Sequence, residues 1–130
     1  MAKVSVGDVM TRRVVYLPVA TTLDEAAQAM RDQGIGDVVV TDGPTMVGLV
    51  TDRDIVIRAI AENLPPKQTT LGSITSRELI MVEQSATVEE AVRAMRERGV
   101  RRLLVCDADR KVVGIISLSD VALLPTSTPA

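Results

Sequence analysis

Gly48-Leu49-Val50-Thr51-Asp52-Arg53-Asp54 and Gly114-Ile115-Ile116-Ser117-Leu118-Ser119-Asp120 share one pattern: glycine, two aliphatics, a hydroxyl residue, two variable positions, aspartate. Each closes an apolar run with strand character, 46–50 or 112–116. Each then supplies Thr51 or Ser117 with an acid three residues on, the capping box that opens a helix by satisfying its first amides. Glutamate is the commoner acid in such a box, so Asp54 and Asp120 hint at a second role beside the cap.

Beyond these two stretches the whole chain is a repeat. At an offset of 65, Val6-Gly7-Asp8-Val9 meets Leu71-Gly72-Ser73-Ile74, and Thr22-Leu23-Asp24-Glu25-Ala26 meets Thr87-Val88-Glu89-Glu90-Ala91. Ala29-Met30-Arg31 meets Ala94-Met95-Arg96, and Gly34 meets Gly99. One gap, opposite Lys111, raises the offset to 66 and brings Asp54 onto Asp120. Two copies suggest two subdomains related by a pseudo-two-fold axis.

Each copy reads strand, helix, strand, strand, helix. The runs 14–17 and 79–82 are short and apolar, as first strands. Thr22 with Glu25 and Thr87 with Glu90 are capping boxes. Behind them Leu23, Ala26, Ala27, Met30 and Val88, Ala91, Val92, Met95 recur at i, i+3, i+4, i+7, the spacing of a helix with one buried face. Gly34 and Gly99 fall where a left-handed cap ends a helix. Runs 38–40 and 103–105, turns at 42–45 and 107–111, and runs 46–50 and 112–116 form the following hairpins. Final helices are expected near 52–63 and 118–124. The fold class is therefore α/β (α+β), two β-α-β-β-α repeats. The first domain spans 6–63, a linker with Pro65-Pro66 spans 64–70, the second domain spans 71–124, and 125–130 form a flexible tail.

Composition excludes several functions. There is no histidine, hence no Ser-His-Asp or Cys-His nucleophile and no histidine base. Cys106, the only cysteine, closes no internal disulfide and builds no cysteine-rich metal site; a small core residue is the reading of it. Tyr16 is the only aromatic, which removes the stacking platforms that read single-stranded nucleic acid. Residues 1–65 hold 6 Lys/Arg against 9 Asp/Glu, and residues 66–130 hold 9 against 8, so neither half is a polyanion surface. The arginines 93, 96, 98, 101 and 102 interleave with Glu89, Glu90 and Glu97 as a solvated face. No nucleic-acid partner, catalytic set, metal site or membrane span is expected. The start lacks a signal-peptide apolar region, and the expected compartment is a reducing cytoplasm. Mean hydropathy of +0.22 is high for a monomer and points to apolar surface facing a partner chain.

The duplicated unit, with its closing signature at the family's period, resembles the cystathionine-β-synthase (CBS) domain. Two copies in tandem look like a CBS-domain pair, or Bateman module, over about residues 6–124. Thr51-Asp52-Arg53-Asp54-Ile55-Val56 is similar to short stand-alone bacterial CBS-pair proteins. The resemblance implies clefts between the paired domains that bind adenosine compounds: AMP, ADP, ATP or S-adenosylmethionine. It implies a homodimer, a flat disc of four CBS domains, with no catalysis of its own and an output to an unknown target protein. An alternative is an interaction, scaffold or stress-response protein whose clefts bind no nucleotide.

What the resemblance implies for individual residues is as follows. Asp54 and Asp120 accept from ribose hydroxyls, while the hydroxyls of Thr51 and Ser117 face phosphate; the neighbouring Arg53 is counted among the nucleotide-binding residues. Val15 and Ile80 belong to the strand that reads adenine; as plain residues they are also ordinary buried strand. Arg101 and Arg102 meet phosphate, since a guanidinium fork suits it, or else remain surface charge. Copy one has Gly36 and Asp37 there, so the two sites are expected to differ. The family commonly has proline within the second strand; Val39 and Leu104 stand there instead and narrow the adenine pocket.

Overall fold

The computed structural model describes residues 3–122 and 124. The expected tail 125–130 lies outside the described residues, as does Leu123 of the last expected helix. Element order is α1 (Val6–Val9), β1 (Tyr16–Pro18), α2 (Leu23–Gln33), β2 (Asp37–Asp42), β3 (Thr45–Thr51) and α3 (Asp52–Ile55) in the first copy. The second repeats it as α4 (Leu71–Ile74), β4 (Met81–Glu83), α5 (Val88–Arg98), β5 (Arg102–Cys106), β6 (Val112–Ser117) and α6 (Leu118–Ala122).

Local chemistry sets most of these boundaries. Thr22 and Thr87 cap α2 and α5 through reciprocal boxes with Glu25 and Glu90. Gly34 and Gly99 end the same helices at φ +65° and +66°, the left-handed region where a side chain would strain the backbone. Each copy builds a three-stranded sheet, ordered β1-β2-β3 and β4-β5-β6, in which the first pair is parallel and the second antiparallel. Matching register shifts interrupt the hairpins at Val40/Thr41 and Val105/Cys106. Pro18 sits on edge strand β1, where its missing N–H costs no ladder bond.

Three features differ from the sequence reading. The helices α1 and α4 were not expected; four residues are too few to show a period. The first strands begin at Tyr16 and Met81, two residues later than the apolar runs 14–17 and 79–82. The helix expected over 52–63 is α-helical only to Ile55 and continues as one π turn, Val56–Ile60, in which the Ala61 amide donates to Val56 O at 2.9 Å. Asn63, at φ 58°, then turns the chain toward Pro65-Pro66.

The chain folds as two compact units, and they are not cut where the repeats are. One unit gathers Val15–Leu79; the other gathers the residues before Val15 and those from Ile80 on. Helix α4 opens the second repeat but packs in the first unit. Leu71 and Ile74 join Leu23, Ala26, Met30, Val38, Val40 and Val50 in its core. The Leu71 amide donates to Thr21 O at 2.8 Å and the Gly72 amide to Val19 O at 3.0 Å. Helix α1 does the same for the other unit. Val6 and Met10 join Ala91, Met95, Leu103, Val105 and Ile116, and the Val6 amide donates to Ala86 O at 2.8 Å. The repeat is the unit of sequence; the packing unit exchanges its first helix.

The segment after each short helix adds a bridge to the free side of the hairpin, Ser76 to Leu49 and Thr11 to Ile115. This explains the glycine of each signature. A Cβ on Gly48 would collide with Thr75 Oγ1 and the Ser76 carbonyl; one on Gly114 would lie 2.8 Å from Thr11 O and 2.7 Å from Met10 Sδ.

Candidate functional site

Each site grows from the end of the third strand of a sheet. The side chains of Val38, Val40 and Val50 enter the helix-packed core. Alternation along a strand therefore puts Asp37, Val39, Leu49 and Thr51 on the other face. Asp37 is paired with Thr51, Val39 with Leu49, and Tyr16 with Val39. In the second unit Arg102 is paired with Ser117, and Met81 and Ile115 with Leu104.

At Thr51 the strand becomes helix. The Asp54 amide donates to Thr51 Oγ1 at 3.0 Å, and the Thr51 amide donates to Asp54 Oδ2 at 2.9 Å. Ser117 and Asp120 repeat the arrangement at 3.1 and 3.0 Å. All four residues are half-buried. The capping box is thus real in both copies, and it fixes the orientation of each carboxylate.

The second oxygen distinguishes the copies. Thr11 Oγ1 donates to Asp120, 3.2 Å from Oδ1 and 3.4 Å from Oδ2. Asp54 instead has Arg58 Nε 3.8 Å from Oδ1, and the Arg58 Nη1–H donates to Ile74 O at 3.1 Å. Neither Thr11 nor Arg58 was singled out from the sequence. Arg58 was recoverable as an i, i+4 partner of Asp54. Thr11 was not, because only the exchanged helix brings it near.

The remaining candidates are placed as follows. Arg53 is exposed on α3. Arg101 is exposed, and its carbonyl accepts the Leu118 amide at 3.0 Å, as Gly36 O accepts Asp52 at 2.9 Å. Arg102 is half-buried and already engaged in an interaction. Val15 and Ile80 are half-buried, and both pack against the helix-covered clusters. Their carbonyls accept the amides of Val39 at 2.8 Å and Leu104 at 3.1 Å. The following residues, Tyr16 and Met81, are the ones aligned with Val39 and Leu104. Val39 and Leu104 are themselves fully buried.

A tandem α/β module with duplicated strand-to-helix signatures defines a class, and comparison with known proteins names it. The CBS domain model matches residues 6–60 and 71–125, and the chain belongs to the CBS domain family. It is 37% identical over 122 residues to the uncharacterized protein MK0525 of Methanopyrus kandleri, covering 93% of this chain and 62% of that one. The chain thus spans less than two thirds of that relative. It is 34% identical to Hypoxic response protein 1 of Mycobacterium tuberculosis, covering 88% of this chain and 80% of the relative. An uncharacterized conserved protein from Pyrococcus horikoshii superposes with a TM-score of 0.85 at 28% identity, covering 99% of this chain and 100% of that chain.

Two other solved neighbours hold ligands. The CBS pair of protein MJ0100, in complex with 5′-methylthioadenosine and S-adenosyl-L-methionine, has a TM-score of 0.80 at 24% identity, over 93% of this chain and 94% of that one. Hypoxic Response Protein I, with two coordinated zinc ions, has a TM-score of 0.71 at 32% identity, over 94% and 98%. The residues present here do not fit a zinc site. The sequence has no histidine, Cys106 is buried in β5, and no group of three or more His, Cys, Asp or Glu stands together among the described residues. No helix among the described residues is long and apolar enough to cross a membrane.

Proposed function

We propose that the chain is a non-enzymatic regulatory module that binds an adenosine-containing ligand and passes its occupancy to a protein partner. The ligand class is AMP, ADP, ATP or S-adenosylmethionine. The observation that carries this reading is the duplicated carboxylate, Asp54 and Asp120, held in one orientation by its own cap at the end of a sheet. A carboxylate accepts about four hydrogen bonds, so each keeps capacity for the vicinal hydroxyls of a ribose. The MJ0100 complex supports the fold's ability to hold adenosine compounds. Arg101, with Arg102 opposite Ser117, suits repeat two to phosphate; repeat one has Gly36 and Asp37 in register. The single buried thiol, with no second cysteine to pair it, goes with a reducing cytoplasm.

A second copy of the chain is the partner that the surface favours. Val56, Ile57 and Ile60, along the α3–π segment, are 53%, 49% and 52% exposed, and Leu64 extends the stripe. Burying such a stripe in a four-CBS disc removes it from water.

The scaffold reading is favoured by one observation: Val39 and Leu104 are fully buried where the family resemblance led us to expect proline and an adenine slot. Thermal unfolding with an extrinsic dye separates the two. The panel is AMP, ADP, ATP, S-adenosylmethionine and NADH, with GTP as control. A ligand at 100 times its dissociation constant adds about 2.7 kcal/mol. A rise for an adenosine compound that GTP does not give, and that Asp120→Ala abolishes, supports the sensor. No rise at millimolar concentration leaves the scaffold reading standing.

A further inference from the structure

We propose that Arg58 is a positioning residue of the repeat-one site, coupling ligand at Asp54 to helix α4. The inference rests on the reading of Asp54 as a ligand acceptor. The Arg58 guanidinium reaches two groups at once: Asp54 Oδ1, 3.8 Å from Nε, and the carbonyl of Ile74, 3.1 Å from Nη1. Ile74 is the last residue of α4, so its carbonyl has no partner within the helix and takes one from Arg58. Ile74 and Leu71 are buried in the core of the same unit. Asp54 is thereby held at both oxygens, by the Thr51 amide on Oδ2 and by a cation beside Oδ1.

Repeat two has no such device. The position matching Arg58 is Leu124, and the second partner of Asp120 is the neutral Thr11 hydroxyl. A fork with five donors in one plane can serve a carboxylate and a carbonyl together, which an ammonium point charge does poorly. Hydroxyls donated to Asp54 share the oxygen that Arg58 faces, so occupancy of repeat one alters the hold on the end of α4. Hydroxyls donated to Asp120 share their oxygens with the neutral Thr11 hydroxyl, and neither bond of that hydroxyl to the carboxylate reaches the carbonyl at the end of α1. Since α4 follows the linker between the copies, the signal starts where the two repeats are joined in the chain.

Hydrogen exchange on the full chain, with AMP as probe, tests this. In the wild type AMP is expected to change exchange at the amides of 51–55 and of 71–75. In Arg58→Leu, which copies repeat two, the change at 71–75 is lost and repeat-one affinity for AMP falls about tenfold. Arg58→Lys recovers the affinity in part. In the ligand-free protein, Arg58→Leu raises exchange at Thr75 with the protein still folded. A change at 51–55 that leaves 71–75 untouched in the wild type, or that persists at 71–75 in Arg58→Leu, overturns the coupling alone. No effect anywhere from AMP, nor from ADP, ATP or S-adenosylmethionine in its place, overturns the ligand reading and the coupling with it.

Discussion

The hydroxyl of Thr11 donates to the carboxylate of Asp120 at 3.2 Å, across 109 positions of chain. The same segment brings Val6 and Met10 into the core that holds Leu103, Val105 and Ile116. A residue from the opening segment of the first repeat therefore lies at the candidate carboxylate of the second.

Removal of residues 1–14 is expected to unfold the second unit and spare the first. The truncation takes away two core side chains, the Thr11–Ile115 bridge and the partner of Asp120. Hydrogen exchange should show lost protection in β5 and β6 and retained protection in β2 and β3. Equal loss in both units would contradict the exchange of helices.

Gly48→Ala and Gly114→Ala should each destabilise the protein by about 1–3 kcal/mol, the usual cost of overpacking. The atoms that a new Cβ meets include backbone carbonyls, of Ser76 in one case and Thr11 in the other, which do not rotate away. Urea midpoints measure the effect. A change below about 0.5 kcal/mol, the range of neutral surface substitutions, would mean that the bridging segments move freely.

The capping role of Asp120 and its proposed ligand role are separable. In Asp120→Asn the amide oxygen still accepts from Ser117, so stability should stay within about 1 kcal/mol of wild type. The charge that strengthens bonds from ribose hydroxyls is lost, and the thermal response to an adenosine compound should go with it. Thr51→Val removes the Asp54 amide's acceptor and should cost about 1 kcal/mol. A ligand response intact in both Asp54→Asn and Asp120→Asn would remove these carboxylates from the site.

Stability should decline in acid partly through Glu25 and Glu90. The hydroxyl of Thr22 and its amide hold the Glu25 carboxyl below its ordinary value near 4.5; the Thr87 amide, then its hydroxyl, do so for Glu90. A carboxyl depressed on folding stabilises the native state above its unfolded value, and that contribution is lost as pH falls through the folded value. Glu25→Gln and Glu90→Gln should lower stability at pH 7 and differ least from wild type in acid, so that the loss of stability below about pH 4.5 flattens. Urea midpoints through this range check the slope; an unchanged slope in the double variant would contradict it.

Ile57→Glu with Ile60→Glu should leave the fold intact and turn a dimer into a monomer. Both side chains are about half exposed, and neither belongs to a core cluster. Sedimentation of wild type and variant measures the state. A wild type that is monomeric at micromolar concentration would contradict the paired-disc reading.

The sequence alone determined the elements whose signals are local. Thr22 with Glu25, Leu23 with Ala26 and Met30, and Gly34 at a left-handed cap all act within one or two turns of helix, and each has its copy 65 residues on. The pattern also located the strand-to-helix junctions at Thr51 and Ser117, and with them the candidate carboxylates. Side-chain facing at Val15 and Ile80 was not legible. In a short apolar run the period does not say which alternate residues meet the helices, and packing sets these two, half-buried, against the core clusters. The tertiary structure also decided that α1 and α4 change units, that Gly48 and Gly114 admit a neighbouring backbone, and that Asp120 meets Thr11 while Arg58 meets the Ile74 carbonyl. Most of these depend on contacts between segments far apart in the chain, whose approach is fixed by burial of Val6 and Leu71. Local spacing carries no record of that approach.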